Sequence, residues 1–382
     1  MYHITLKHKK AFIEEHWQKK PVVIRNAFLN FQDPIDENEL AGLSQEEGID
    51  SRIISEISGD WSLHHGPFED FNEVCQGAWT LLVQSVDNYI EPAKSLLNAF
   101  DFVPSWRVDD VMVSFSNKGA GVGPHLDQYD VFIVQGKGSR RWQVGSRGDY
   151  TETFPCGGLR QISNFEPIID EVLEPGDLIY IPPGFPHNGI ALEPCLNYSI
   201  GFRAPTQQEL LGRFADFADE KGLFTSRYCD PDLLPRESRE IMYQTEIQKF
   251  KQLFIQMIDS PHFAQFIGQC FTALPTQNDY SLELNEQYSP NQIEKMLDNG
   301  MLLERSLSLR KLLLKNEIDD DFQWDMWING HLIQVSDEQL VLLQKLLECD
   351  VIDKNTKINY ENSLFFNQLM SKLVITGAFF PV

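Results

Sequence analysis

Two stretches decide the fold and the chemistry of this chain: GVGPHLDQYD at residues 121–130 and EPGDLIYIPPGFPH at residues 174–187. His125 and Asp127 are two positions apart in the first stretch, so on a β-strand both side chains would leave the same face. In the second stretch, a Pro-Gly-Asp turn leads into an apolar run, and a Pro-Pro-Gly-Phe-Pro corner ends on His187. Such a rigid approach suits a metal ligand that must be held at a fixed angle.

Two histidines and one carboxylate are the set that typically holds non-haem iron(II), with three coordination positions left open. A bidentate 2-oxo acid can take two of these positions and oxygen the third, so we interpret His125, Asp127 and His187 as iron ligands. A His-x-Asp pair alone is weak evidence, because most such pairs are ordinary polar residues. A structural loop could use the same prolines, but it would not need a histidine at the end of the corner.

A 2-oxo acid with a distal carboxylate also needs a buried cation. Arg140 opens the predicted strand after DVFIVQ (130–135), in a predicted hairpin whose turn contains two glycines. Its guanidinium offers a bidentate fork to the distal carboxylate, whereas its neighbour Arg141 should face outward. The alternative for Arg140 is an ordinary surface charge on a hairpin.

Three further polar residues are candidates for the same pocket. Ser114 and Ser116 share a face of their predicted strand and could donate hydroxyl hydrogen bonds to the distal carboxylate. Asn197 begins the strand that follows His187 and could hold the 1-carboxylate or a water on the metal.

The pattern of the chain divides into three regions and predicts an α+β fold. Residues 1–205 contain many short apolar runs bounded by turn residues, which favour a β-sandwich or barrel, with flanking helices that include residues 81–100. Residues 206–284 are predicted to be helical, starting at an N-cap at Thr206. Residues 285–382 combine helices and strands in a pattern typical of a small α+β or winged-helix unit.

Composition limits the classes of partner. With 56 acidic and 32 basic residues the net charge is −24, which repels nucleic acid and anionic membranes and favours a basic protein, although solubility alone would also explain it. Residues 285–382 hold 9 Lys/Arg and 15 Asp/Glu, so direct DNA binding is not expected there. Six scattered cysteines, no secretory signal and no membrane-spanning apolar window lead us to expect a cytoplasmic protein.

Taken together, HLD (125–127), Arg140, EPGDLIYIPPGFPH (174–187) and NYSIGFRAP (197–205) resemble the JmjC oxygenases. The N-terminal stretches EEHWQKKPVVIRNAF (14–28) and LHHGPFED (63–70) are similar, more narrowly, to the ribosomal oxygenases. The order of the three regions matches as well, so the resemblance covers essentially the whole chain.

The resemblance implies a double-stranded β-helix (the JmjC or cupin barrel), a helical dimerisation region and a C-terminal winged-helix-like domain. It implies Fe(II) as the metal, 2-oxoglutarate and O2 as cosubstrates, and a homodimer that acts on a basic ribosomal protein. The iron ligands of the family match His125, Asp127 and His187, and the 2-oxoglutarate clamp matches Arg140; Ser114, Ser116 and Asn197 carry over as cosubstrate-binding residues. Arginine rather than lysine at the clamp is typical of the bacterial branch that hydroxylates an arginine of large-subunit ribosomal protein sixteen.

Other classes remain open at the level of sequence. A metal-dependent cupin without a 2-oxo acid would use the same barrel but would have no use for a carboxylate clamp. A scaffold protein that has lost its chemistry would usually have lost a metal ligand, and all three are present. Among JmjC enzymes, lysine demethylation and histidyl hydroxylation are the competing activities.

Overall fold

The computed structural model describes residues 2–4, 9–274, 288–316, 323–358 and 363–382. The chain divides into two compact units that meet in the sequence at Ala204 and Pro205. The first predicted domain boundary lies next to this point, whereas the second, between residues 284 and 285, lies outside the described residues. In the described parts of the chain, no helix is long and apolar enough to cross a membrane.

The strands of the first unit are β1 (Val22–Ile24), β2 (Ser51–Ile57), β3 (Asp60–His65), β4 (Ala78–Val83), β5 (Val108–Ser116), β6 (Asp130–Gln135), β7 (Arg140–Gly145), β8 (Glu152–Cys156), β9 (Leu159–Ile162), β10 (Pro167–Leu173), β11 (Leu178–Ile181), β12 (His187–Ala191) and β13 (Cys195–Phe202). Its helices are α1 (Lys9–Glu15), α2 (Glu37–Leu43), α3 (Phe71–Val74) and α4 (Glu91–Leu97).

Two antiparallel sheets of this unit face each other. The larger has the order β1-β11-β6-β13-β5-β4-β2-β3 and the smaller the order β10-β7-β12. Val131 and Ile133 of β6 belong to the same buried apolar cluster as Trp142 and Val144 of β7, so side chains of both sheets fill the space between them.

Strand β6 lies inside the larger sheet and is buried along its whole length. Phe132 and Val134 point into an aromatic core behind the sheet, whereas Val131 and Ile133 point into the space between the sheets. Burial on both faces explains why this segment is a continuous apolar run rather than an alternating one.

The predicted hairpin of residues 130–144 is wrong. Strand β6 pairs with β11 and β13, and β7 pairs with β10 and β12, so the chain crosses from one sheet to the other at residues 136–139. Gly138, with φ of +74°, makes this crossing possible, because a Cβ there would lie 2.4 Å from the carbonyl oxygen of Pro194. The crossing turns the Arg140 side chain toward the larger sheet.

The predicted helix at residues 81–100 is only partly correct. Its first residues belong to β4, where Leu81 and Val83 pack into the aromatic core, and the helix itself is α4. Pro92 lies in the first turn of α4, where its missing N–H leaves no helical hydrogen bond unmade.

The helices of the second unit are α5 (Gln207–Glu220), α6 (Gln244–Ile258), α7 (His262–Thr272), α8 (Pro290–Asp298), α9 (Asp337–Glu348), α10 (Lys354–Ile358) and α11 (Ser363–Ile375). Its strands are β14 (Leu303–Arg305), β15 (Lys311–Lys315), β16 (Trp324–Ile328), β17 (His331–Val335), β18 (Val351–Ile352) and β19 (Phe379–Pro381).

The predicted N-cap of α5 is confirmed. The Thr206 hydroxyl accepts from the Glu209 N–H, and the Glu209 carboxylate accepts from the Thr206 N–H, as in a capping box. Helix α7 packs against β15, β16 and β17, so the helical region and the C-terminal region share one compact unit. Together the two units make the protein a mixed α and β structure with several antiparallel sheets.

Candidate active site

His125, Asp127 and His187 converge in the first unit. A carboxylate oxygen of Asp127 lies 3.5 Å from Nε2 of His187 and 4.0 Å from Nε2 of His125. All three ligand atoms lie within 4.8 Å of one another. Ligands that bind one ion at about 2.1 Å and at right angles are about 3 Å apart, so small side-chain rotations would bring this set onto a single metal.

The backbone that presents these ligands differs from the prediction of one strand carrying both His125 and Asp127. His125 forms an isolated bridge with His187, in which each backbone N–H donates to the other residue's carbonyl oxygen at 3.0 Å. Asp127 lies in the following loop, where its carbonyl oxygen accepts from the N–H of Gly184 at 2.8 Å. The proline-rich corner at residues 182–186 therefore stabilises the loop that contains Asp127 and also positions His187.

Backbone carbonyls also orient both imidazole rings. Nδ1 of His125 is 2.9 Å from the Gly123 carbonyl oxygen, and Nδ1 of His187 is 3.1 Å from that of Phe185. With the proton on Nδ1 donated to these carbonyls, each Nε2 presents a lone pair to the centre of the triad. Burial, followed by the neighbouring His125, lowers the pKa of His187 to about 4, which keeps the ring neutral and able to bind a metal.

Arg140 is buried between the two sheets, with 5% of its surface exposed. Its guanidinium donates to the Ser116 hydroxyl on the larger sheet, and among the described residues no carboxylate lies within ion-pair distance of it. Its Nε has no hydrogen-bond partner there either, and burial lowers the pKa of the group. Arg141 faces outward, as strand alternation predicts, and forms two hydrogen bonds with Asp170.

The remaining predicted residues line the same region. Ser116 and Ser114 are buried on β5, and the Ser116 hydroxyl is 2.8 Å from the hydroxyl of Thr80. Asn197 is directly opposite Ser114 in the neighbouring strand and is likewise buried. Its amide donates to the Gln135 side-chain oxygen at 2.7 Å.

Sequence reasoning missed three residues of this pocket: Thr80, Gln135 and Cys195. Thr80 pairs with Ser116 across β4 and β5, Gln135 holds the Asn197 amide, and the Cys195 thiol lies beside the Arg140 guanidinium. Burial raises the pKa of Cys195, which keeps it a neutral thiol next to the cation. The run DVFIVQ ends on a polar residue after four apolar ones, a sequence signal that could have identified Gln135.

The residues fit an iron(II) ion and an anionic chelator. Two neutral imidazoles and a carboxylate on one side of a centre are the ligand types that non-haem iron(II) takes. Burying a guanidinium without a carboxylate partner costs free energy, and Arg140 has no such partner among the described residues. A bound anion would offset this cost. A 2-oxo dicarboxylate would supply both a metal chelate and that anion.

Facing antiparallel sheets with a two-histidine, one-carboxylate site are typical of JmjC-type oxygenases, and the family model of the JmjC domain matches residues 95–210. Ribosomal protein uL16 3-hydroxylase from Escherichia coli (strain K12) is 44% identical over 321 residues, which cover 83% of this chain and 85% of that protein. The chain belongs to the JmjC-domain ribosomal oxygenases.

Solved structures agree with this assignment. The crystal structure of the Escherichia coli ribosomal oxygenase YcfD superposes with a TM-score of 0.84 at 40% identity, covering 100% of this chain and 99% of that one. YcfD in complex with cobalt and 2-oxoglutarate gives a TM-score of 0.81 at 39% identity, with the same coverage. That relative holds cobalt together with 2-oxoglutarate, a 2-oxo dicarboxylate of the kind that the donor set of the present chain fits.

Proposed function

We infer that this protein is an iron(II)- and 2-oxoglutarate-dependent dioxygenase that hydroxylates an arginine side chain of ribosomal protein uL16 at carbon. The observation that carries the inference is the convergent triad together with the buried Arg140, whose guanidinium has no carboxylate partner among the described residues. The relative from Escherichia coli is named as a uL16 3-hydroxylase, which gives the protein substrate.

When bound, iron(II) and 2-oxoglutarate supply the oxygen chemistry, in which one atom of O2 enters a C–H bond and the other enters succinate as CO2 is lost. The chain itself binds and orients these groups. His125, Asp127 and His187 hold the metal on one face, and Arg140 with Ser116 holds the distal carboxylate. Ser114 and Asn197, which are buried opposite each other on β5 and β13, would donate to the same ligand, and the apolar side chains between the sheets exclude water.

Charge near the triad supports a cationic substrate side chain. Asp110 lies near the start of β5, and burial, followed by Asp109 and Asp87, raises its pKa to about 6. Tyr129 is 43% exposed, and partial burial together with the carboxylates of Asp127 and Asp110 raises the pKa of its hydroxyl. A guanidinium placed here would relieve the carboxylate repulsion and could stack on the ring of Tyr129.

Three finer features of the protein belong to the same proposal. The facing sheets form a double-stranded β-helix barrel, the C-terminal strands and helices form a winged-helix-like domain, and the helical region mediates a homodimer. Support for the dimer comes from α6, in which none of the residues is fully buried and Phe254 and Ile258 are 55% and 51% exposed. A cytoplasmic location follows from the proposed ribosomal substrate.

The test offers synthetic uL16 peptides that carry Arg, Lys, His or methylated Lys at the target position. The proposal predicts one added oxygen on the Arg peptide and little reaction with the others. Preference for His would favour a histidyl hydroxylase, and formaldehyde release from methylated Lys would favour a demethylase. Turnover that does not need 2-oxoglutarate would indicate a different kind of metal-dependent cupin.

A further inference from the structure

Trp142 carries a buried polar group that the mechanism above does not use. Its side chain is 5% exposed, and the indole N–H has no hydrogen-bond partner among the described residues. A buried tryptophan normally donates this N–H, so an unpaired donor requires an explanation. Trp142 is two positions from Arg140 on β7, and both side chains therefore leave the same face of that strand.

The indole lies between the metal ligand and the carboxylate clamp. Its ring centroid is 6.1 Å from that of His187, the guanidinium carbon of Arg140 is 5.6 Å from the ring, and along β7 Trp142 separates Arg140 from Val144, the partner of His187. Gly189 is its direct partner across β12, and a Cβ at Gly189 would lie 2.8 Å from the ring. Because Gly189 has no Cβ, the indole of Trp142 can lie against β12 beside His187.

The apolar side chains around the indole cannot accept a hydrogen bond from its N–H. Val131, Ile133 and Ile179 belong to the same buried cluster, and their side chains have no hydrogen-bond acceptor. Nε of Arg140 is a second unpaired donor on the same face of β7. Trp327 in the second unit also has an unpaired indole N–H, but this nitrogen lies against Gly268 of α7, where a Cβ would be 2.2 Å from it. Two unpaired donors beside a metal-ligand set point to an acceptor that arrives with the ligand.

We propose that Trp142 is a cosubstrate-binding residue, whose indole N–H donates to bound 2-oxoglutarate and whose ring sets the length of 2-oxo acid that fits. This inference rests on the proposed function. A dicarboxylate that reaches from the metal to Arg140 must pass along the indole, because Trp142 lies on β7 between Arg140 and Val144, the partner of His187. The carboxylate would accept from Nε of Arg140 and from the indole, which leaves neither donor unpaired.

The experiment measures binding rather than turnover. Calorimetry records the affinity of the Mn(II)-loaded protein for 2-oxoglutarate and for 2-oxoadipate, which is one methylene longer. Trp142→Phe keeps an aromatic side chain and removes the N–H, so we expect about tenfold weaker 2-oxoglutarate binding with unchanged Mn(II) affinity. The smaller ring should also shift the preference toward 2-oxoadipate.

Trp324→Phe is the matched control, because it removes an indole hydrogen bond to Asp337 in the second unit and should leave both affinities unchanged. Equal 2-oxoglutarate affinity in Trp142→Phe and the wild type would overturn the inference. A parallel loss of Mn(II) and 2-oxoglutarate affinity would also overturn it, because that result indicates a structural role. If the wild-type protein itself fails to bind 2-oxoglutarate, the proposed function fails instead.

Discussion

His125 and His187 exchange two backbone hydrogen bonds of 3.0 Å, although they lie on segments far apart in the sequence. Their rings lie with centroids 4.1 Å apart, and the same bridge extends a contact between residues 119–121 and the end of β12. The separation of the two imidazoles is thus set by the backbone rather than by side-chain packing alone. A metal site built in this way is organised before the ion binds.

Gly121→Ala tests whether the backbone bridge between His125 and His187 sets the geometry of the metal site. A Cβ at residue 121 would lie 2.2 Å from the carbonyl oxygen of Gly189, so the 119–125 segment must move away from β12 and carry His125 with it. We expect the Mn(II) affinity to fall by at least about tenfold, because binding depends on ligand geometry. The control is Gly157→Ala, where a Cβ meets nothing within 4 Å. Unchanged Mn(II) affinity by calorimetry in Gly121→Ala would show that the bridge does not set the site.

Arg140→Ala removes the cation that we assign to the distal carboxylate. Loss of one partner of a buried ion pair typically costs about 3 to 5 kcal/mol, so 2-oxoglutarate affinity should fall by at least about 100-fold. Mn(II) affinity should change little, and Arg141→Ala should affect neither, because Arg141 pairs with Asp170 on the outer surface. If calorimetry finds normal 2-oxoglutarate affinity in Arg140→Ala, the assignment of the clamp to Arg140 is wrong and another cation such as Arg203 binds the carboxylate.

Asp110→Asn should stabilise the protein at neutral pH. Because folding raises the pKa of this carboxyl from 3.8 to about 6, its ionised form lowers the stability of the fold. The resulting loss of unfolding free energy is absent below pH 4 and grows between pH 4 and pH 6. Above that range it reaches up to about 3 kcal/mol. Asparagine can still accept the hydrogen bonds from the Ser85 N–H and hydroxyl.

Urea unfolding at pH 7.5 and at pH 4 measures this effect. The variant should exceed the wild type in unfolding free energy at pH 7.5, and the difference should shrink at pH 4. Asp60→Asn, an exposed carboxyl on β3, should change stability by less than about 0.5 kcal/mol at either pH. A less stable Asp110→Asn protein at pH 7.5 would mean that the ionised carboxylate stabilises the fold.

Helix α6 should mediate the homodimer. Phe254 and Ile258, each more than half exposed, belong to an apolar stripe at helical spacing, and such stripes usually mark an interface. Light scattering at micromolar concentration should give a dimer for the wild type and a monomer for Phe254→Asp. Leu29→Asp changes an apolar side chain of the first unit that is 67% exposed, and this variant should remain dimeric. A monomeric wild-type protein would refute the dimer.

Local patterns predicted much of the structure correctly. Short apolar runs bounded by turn residues coincide with strands such as β5 and β13, and the Thr206 capping box lies where the sequence places it. Strand alternation separated inward Arg140 from outward Arg141. These features depend on residues a few positions apart, so the sequence contains the information directly.

Features that depend on distant segments were missed. Two glycines between apolar strands favour a hairpin locally, but β6 and β7 gain more by pairing with strands brought by later parts of the chain. The bridge between His125 and His187 has no local signature, and neither does the contact of Thr80 with Ser116. Tertiary pairing outweighs turn propensity at such positions.

Mass spectrometry of purified uL16 after reaction under ¹⁸O2 tests the central claim most directly. The iron-loaded wild-type protein with 2-oxoglutarate should add one ¹⁸O atom to a single arginine of uL16, while Asp127→Ala, which lacks a metal ligand, should add none. Omission of 2-oxoglutarate should abolish the reaction as well. An unmodified uL16 in the complete reaction, or the same modification with Asp127→Ala, would contradict the account.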